Sequence, residues 1–219
     1  MSFREKHVNL SRRPAKRRPP RHFYIYCEGE LTEKTYFDAL AREYKKLGPI
    51  KLTTIPEREP KGIAQKAVDR VKMECVPKRQ KNSFEQNDQV WAVFDRDTHP
   101  HYDAAIQTCQ KGGVQVARSN PCFDLWLVLH IEDYDRAGRQ DAVQTRLETL
   151  RPEYNREKNK SCDCDHLVKS VEDAEARAAR QLARRTSEGV PFGPPSTTVG
   201  HLTAAIRAAA QAAGRPSQR

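Results

Sequence analysis

DQVWAVFDRDTH, residues 88–99, runs an apolar stretch into two carboxylates separated by one residue. Gln89 to Asp95 reads as a strand that ends on an acid. Side chains alternate faces along a strand, so Asp95 and Asp97 point the same way if the strand runs through both. At the strand's end both can converge on one spot in the crevice beyond the sheet. Two like charges that close need a cation between them, or one must hold a proton. Aspartate is also a common turn and helix-cap residue, so the pair alone fits a plain strand ending equally well. What decides is whether other parts of the chain point to the same place.

Outward from that stretch the chain alternates. HFYIYCEG (22–29) reads as a buried strand ending in Glu-Gly, followed by a helix over LTEKTYFDALAREYKKL that Gly48-Pro49 stops. IKLTTIP is a second strand and GIAQKAVDRVKMECV a second helix, and the polar piece PKRQKNSFEQND leads into QVWAVFD. HYDAAIQTCQKGG is helical, VQVARS a strand, and CFDLWLVLHI an apolar helix behind the Asn120-Pro121 start signal. Four alternations between residues 22 and 131 predict an α/β layered domain with a largely parallel central sheet. Ligands of such sheets bind beyond the carboxyl ends of the strands, where Glu28, Asp95 and Asp97 fall. From residue 132 to 219 the chain turns polar and helical, in RQDAVQTRLETL, DHLVKSVEDAEARAARQLARR and HLTAAIRAAAQAAG, with the loop EGVPFGPPSTTVG between the last two. This part reads as a helical extension packed on the core.

The 219 residues suffice for a sizeable core, and a mean hydropathy of −0.85 with 37% hydrophobic residues is polar but not a disordered composition. No apolar run approaches the roughly 20 residues of a membrane span, and no secretory h-region opens the sequence. Six scattered cysteines suggest reduced thiols in a cytoplasmic protein rather than a disulfide framework. The net charge of +10 is uneven: residues 1–21 hold eight Lys/Arg and one Glu, which accounts for +7 and leaves +3 for the rest. That segment reads as a basic, disordered tail, fit equally to neutralise nucleic-acid phosphates or to act as a solubilising leader.

Four blocks in order, IYCEGELTEKTYF, VWAVFDRDTH, SNPCFDLWLVLH and PPSTTVGHL, resemble the RloB family, which is similar to the abortive-infection protein AbiLii and has a core that looks like a Toprim domain. The resemblance implies magnesium, or manganese in its place, held for phosphodiester chemistry by a Glu-Gly after the first strand and an Asp-x-Asp after a later one. These motifs fall on Glu28 with Gly29 and on Asp95 with Asp97, and Glu33 matches the acid of the Gly-x-x-Thr-Glu pattern. It also implies a metal-dependent nuclease of bacterial anti-phage defence, with an RloA-type ATPase as partner and nucleic acid as substrate. The different-class alternative is a non-catalytic subunit that holds a nucleotide or nucleic acid in the same cleft. One departure stands out: the family motif after Asn-Pro reads Phe-Glu-Leu-Trp, whereas this chain has Asp124, whose shorter arm puts that position in doubt as a site residue.

The residues themselves fit such a centre. Magnesium prefers carboxylate and water oxygens and usually takes one or two protein carboxylates. Asp95 and Asp97 fit as the ligand pair, with Glu28 as a further ligand or a base. Gly29 permits a tight turn and close approach to a phosphate. Arg96 and Arg118 are candidate phosphate clamps, and Asn120 a further substrate contact. Other candidates read more plainly. Cys162, Cys164 and His166 lack the spacing and the second cluster of a zinc site, and read as surface thiols before a helix. His99 and His101 read as helix-start residues, His130 as a hydrogen-bonded core residue, Trp91 and Trp126 as core, and the Ser/Thr cluster of PSTTVG as a cap for the last helix. No Gly-Lys-Ser/Thr phosphate loop occurs.

Overall fold

The structure, a computed structural model, describes residues 20–74, 88–96, 101–156 and 162–215. Strands β1 (Arg21–Cys27), β2 (Ile50–Pro56), β3 (Gln89–Asp95), β4 (Gln115–Asn120) and β5 (Ser196–Thr197) form one sheet in the order β2-β1-β3-β4-β5. β1 pairs in parallel with both β2 and β3, β3 pairs in parallel with β4, and β5 is antiparallel to β4. Helices α1 (Thr32–Tyr44), α2 (Pro60–Glu74) and α3 (Tyr102–Lys111) connect the parallel strands. The protein is thus mixed α/β with a mostly parallel sheet, as the alternation of elements predicts. The tail up to residue 19, most of the polar piece before β3, Cys75, Asp97 and His99 lie outside the described residues.

Both faces of the sheet are covered, which is why the central strands read as nearly unbroken apolar runs. Phe23, Ile25, Cys27, Trp91, Val93 and Ala117 point into one core. That core is shared with α1, α4 (Asp124–Leu129), α5 (Gln140–Leu150), α7 (Val171–Ser187) and α8 (Val199–Gly214). Tyr26, Val90, Ala92 and Phe94 point the other way, against Ile63, Ala67, Ile106 and Cys109 of α2 and α3. This parity governs the site. Asp95 follows Trp91 and Val93 onto the α1/α4 side, whereas Arg118, two residues after Val116, faces the α2/α3 side.

The C-terminal part departs from the sequence reading in two places. Residues 165–185 are not one helix: α6 (Cys164–Leu167) passes into a 3-10 turn at Val168–Ser170 before α7 begins. The Ser170 hydroxyl lies 3.0 Å from both the His130 and the Leu167 carbonyl oxygens, a local side-chain bond that competes with helical pairing. The segment read wholly as a loop contains β5. Its hydroxyls pair with β4, Ser119 Oγ with Thr197 Oγ1 at 2.9 Å and the Arg118 N–H with Thr198 Oγ1 at 2.9 Å. Thr198 therefore occupies the N-cap position of α8 without a side-chain cap bond, because its hydroxyl is already engaged.

His130 is a core residue, 4% exposed, with Nδ1 2.8 Å from the Trp126 carbonyl and Nε2 3.1 Å from the Tyr36 hydroxyl. A carbonyl only accepts, so Nδ1 carries the proton and Nε2 accepts from Tyr36. Burial pushes the imidazole pKa down from 6.5 to about 4. The unfolded chain therefore binds this proton first, and stability falls as pH drops from 6.5 toward 4. Urea unfolding should show a loss of about 2 kcal/mol between pH 7 and pH 5. His130→Gln should lower stability at pH 7 but remove most of that slope; an unchanged slope would assign the pH dependence elsewhere.

Candidate functional site

The strand order reverses direction between β1 and β3: from β1 the chain crosses first to β2 on one side, then returns to β3 on the other. This switch point opens a crevice at the carboxyl ends of the two strands, the position where open α/β sheets take ligands. Glu28 and Gly29 follow β1 directly, and Asp95 is the last residue of β3. The adjoining end of β4 leads through the Asn120-Pro121 bond, which is cis, into α4, whose first residue is Asp124. Three neighbouring strand ends thus deliver acids to one side of the sheet.

The β1–α1 loop is held by one of those acids. Glu33, in the first turn of α1 and 5% exposed, accepts the Gly29 N–H through Oε1 at 2.9 Å. A carboxylate there also suits the positive end of the helix. Gly29 is needed because the carboxylate occupies the space of a side chain: a Cβ at 29 would lie 1.6 Å from Glu33 Oε2. Glu33 is thus a clamp on the loop that carries Glu28. Asp124, 5% exposed, is anchored on the far side, accepting from Gln144 Nε2 at 3.0 Å with the Cys122 thiol 3.9 Å away. Sequence reasoning set this residue aside for its shorter arm. Its place at the end of the third parallel strand is the signal that includes it.

Asp95 carries the electrostatic burden. Among the described residues its Oδ1 is removed from solvent and has no hydrogen-bond partner. Burial raises its pKa well above 3.8, and the charges of Glu33, Glu28 and Asp124 raise it further, against a bond from the Phe123 backbone N–H. Two thiols feel the same field. Burial pushes Cys27 up, helped by Glu33, Asp95 and Glu28, and Cys122 is raised by burial and then by Asp124 and Asp95. Glu28 Oε1 is likewise buried. Glu33 is engaged with Gly29 and Asp124 with Gln144, whereas Asp95 Oδ1 accepts no hydrogen bond among the described residues. Among the described residues no three His, Cys, Asp or Glu side chains converge to hold a metal. A buried carboxylate oxygen without a partner, in a like-charged setting, fits a hard divalent ion, which needs only one or two such ligands.

The arginines lie elsewhere. Arg96 and Arg118 sit on the opposite face from Asp95, about Tyr102: the Arg96 guanidinium is 5.2 Å from the Tyr102 ring centroid and 3.8 Å from Asp103, and the Arg118 guanidinium is 3.3 Å from the Phe192 centroid. Asn120 donates through Nδ2 to the Phe192 carbonyl at 2.8 Å, holding that residue at φ 69. The structure therefore places Glu28, Glu33, Asp95 and Asp124 together and sets Arg96, Arg118 and Asn120 apart. Cys162 and Cys164 are buried, 3.6 Å apart through their sulfurs, not surface thiols, because both face the core beneath α1 and α4. His166 is exposed, and His101 is the N-cap of α3 as its position predicts.

Two substitutions test this geometry. Gly29→Ala should displace the Glu33 clamp and cost about 1–3 kcal/mol, read by chemical denaturation; parental stability would mean the clamp is dispensable. Asp95→Asn keeps the shape and an acceptor for Phe123 N–H. Because the folded pKa of Asp95 is raised, its contribution is intact below 3.8 and lost as pH rises. The variant should therefore melt above the parent at pH 8 in chelator, with the gain vanishing near pH 4. A gain independent of pH would contradict the buried-charge reading.

Among the described residues no helix is long and apolar enough to cross a membrane. Neither the curated proteins nor the solved structures compared with the chain contain a match. The family model described as RloB-like protein matches residues 23–206, a span that takes in most of β1, the crevice acids, β5 and the first half of α8. The chain belongs to the family of RloB-like proteins.

Proposed function

We propose that this protein is a metal-dependent nuclease with a Toprim-like core over residues 22–131 and a helical extension over 132–219. In this reading it hydrolyses phosphodiesters of DNA or RNA in the cytoplasm, in bacterial defence against phage, together with an RloA-type ATPase. The observation that supports it is the buried, unpartnered Oδ1 of Asp95 at the β1/β3 switch point, surrounded by like charges. An isolated buried carboxylate in such a place is costly and is kept where a function uses it.

Asp95 and Glu28 would hold magnesium or manganese, with Asp97, two residues on in the sequence, as a further carboxylate. Bound there, the ion would polarise the scissile phosphate and ease ionisation of the attacking water. Asp95 would serve as a ligand in its ionised form, so its raised pKa would make binding stronger at higher pH. Glu28 either completes the ligand set or accepts the proton of the attacking water. Glu33 fixes the backbone of the loop that carries Glu28, and the Phe123 N–H holds the Asp95 carboxyl from the α4 side.

A second reading is a non-catalytic subunit that binds nucleic acid or nucleotide. It draws support from the absence of a converged three-ligand cluster among the described residues. Cleavage separates the two. End-labelled DNA and RNA should be cut only with magnesium or manganese, with or without the ATPase partner. Asp95→Asn should lower the rate by more than about a hundredfold, because metal activation contributes several kcal/mol and each 1.36 kcal/mol is tenfold. An Asp95→Asn protein that cuts at the parental rate would overturn the metal mechanism; binding without cutting under every condition would favour the subunit reading.

A further inference from the structure

The α2/α3 face of the sheet carries a groove of about 410 Å³ that the acid site does not use. It is lined by Gln110, Val116, Arg118, Phe192, Thr198 and His201, from α3, β4, the loop before β5, and α8. Its cation is Arg118, partly buried and forming no ion pair among the described residues. The side chain is held in place rather than left to solvent: the Phe192 ring lies 3.3 Å from the guanidinium, and the Tyr102 hydroxyl lies beside it. Phe192 is in turn fixed at φ 69 by the Asn120 bond to its carbonyl, while Arg185 Nη1 donates to Pro194 O at 3.0 Å in the same loop. A left-handed phenylalanine is strained and persists only where its surroundings hold it. Here that conformation places a ring on a cation that forms no ion pair among the described residues. Arg96, over the outer side of Tyr102, extends the series of alternating guanidinium and ring.

We propose that this groove binds a single-stranded nucleic acid, with Arg118 taking a backbone phosphate and the Phe192 ring lending its free edge and neighbouring surface to a base. The proposal rests on the nuclease reading only in naming nucleic acid as the ligand. Flat rings interleaved with fixed guanidinium groups are the arrangement that holds unpaired strands, because every base presents a π-face and every residue a phosphate. Arg118 pairs in register with Phe94, the residue before Asp95. The Arg118 end of the groove is therefore level with the acid crevice on the other face of the sheet, the rest of the groove running along β4 toward Gln115, and a strand that passes over the carboxyl edge reaches both.

Fluorescence anisotropy of labelled single-stranded oligonucleotides, measured in chelator with the full-length Asp95→Asn protein so that no cleavage occurs, tests this directly. Arg118→Gln should weaken binding about tenfold and reduce the slope of log K against log salt by about 0.7, the contribution of one single-strand phosphate contact. His201→Glu alters an exposed residue in the first turn of α8, where a carboxylate suits the helix, and should weaken binding by repelling phosphate from the groove. Parental affinity and slope in both variants would overturn the proposal and assign binding to the basic tail, and so would a preference for duplex over single strands. If Asp95→Asn cleaves normally, the nuclease mechanism falls while losses of binding at Arg118 and His201 leave the groove assignment standing.

Discussion

A carboxyl group taken out of water at the end of β3 sets the terms for its surroundings. Asp95 is there because the strand's parity, fixed by Trp91 and Val93 packing on one face and Val90, Ala92 and Phe94 on the other, leaves the next side chain pointing into the crevice. Burial and three neighbouring acids oppose its ionisation. The elements around it make sense as supports for that situation. Glu33 turns its charge onto the Gly29 N–H, Asp124 turns its own onto Gln144, and the Phe123 N–H answers one oxygen of Asp95. What remains unanswered is Oδ1. A protein without a use for that oxygen would be more stable with an amide or an apolar residue there.

Much of this was legible in the sequence because the physical signals were local. Buried parallel strands read as apolar runs, and their bounds at Ile50–Pro56 and Gln89–Asp95 coincide with the residues where β-branched and aromatic side chains give way to Pro and Asp. The strand-end rule then picks out Glu28 and Asp95 without any knowledge of tertiary contacts. The break at Ser170 was not legible, because its hydroxyl bonds both the nearby Leu167 carbonyl and that of His130, 40 residues away in sequence. Nor was β5, a strand of two residues whose pairing depends on hydroxyls meeting across β4.

The site was only half readable for the same reason. Asp124 looked like a weakened version of a family glutamate, yet its anchor is Gln144 on α5, which no motif connects to it. Arg118 follows Ala117 and precedes Ser119, so strand alternation alone sends it away from Asp95, whatever its chemistry suits it for. The Phe192 ring that meets Arg118 comes from a loop rich in Gly and Pro, where sequence offers no expectation of a fixed partner.

The central claim is that the buried acids at the β1/β3 switch point exist to hold a hard divalent cation. Isothermal titration calorimetry of manganese or magnesium into the protein, repeated near neutral pH in two buffers of different ionisation enthalpy, tests it most directly. The account predicts saturable binding, any proton displaced from the raised Asp95 carboxyl being counted by the difference between the two buffers, and loss of that binding in Asp95→Asn. Saturable binding that Asp95→Asn leaves unchanged, or no binding by the parent protein, would contradict it.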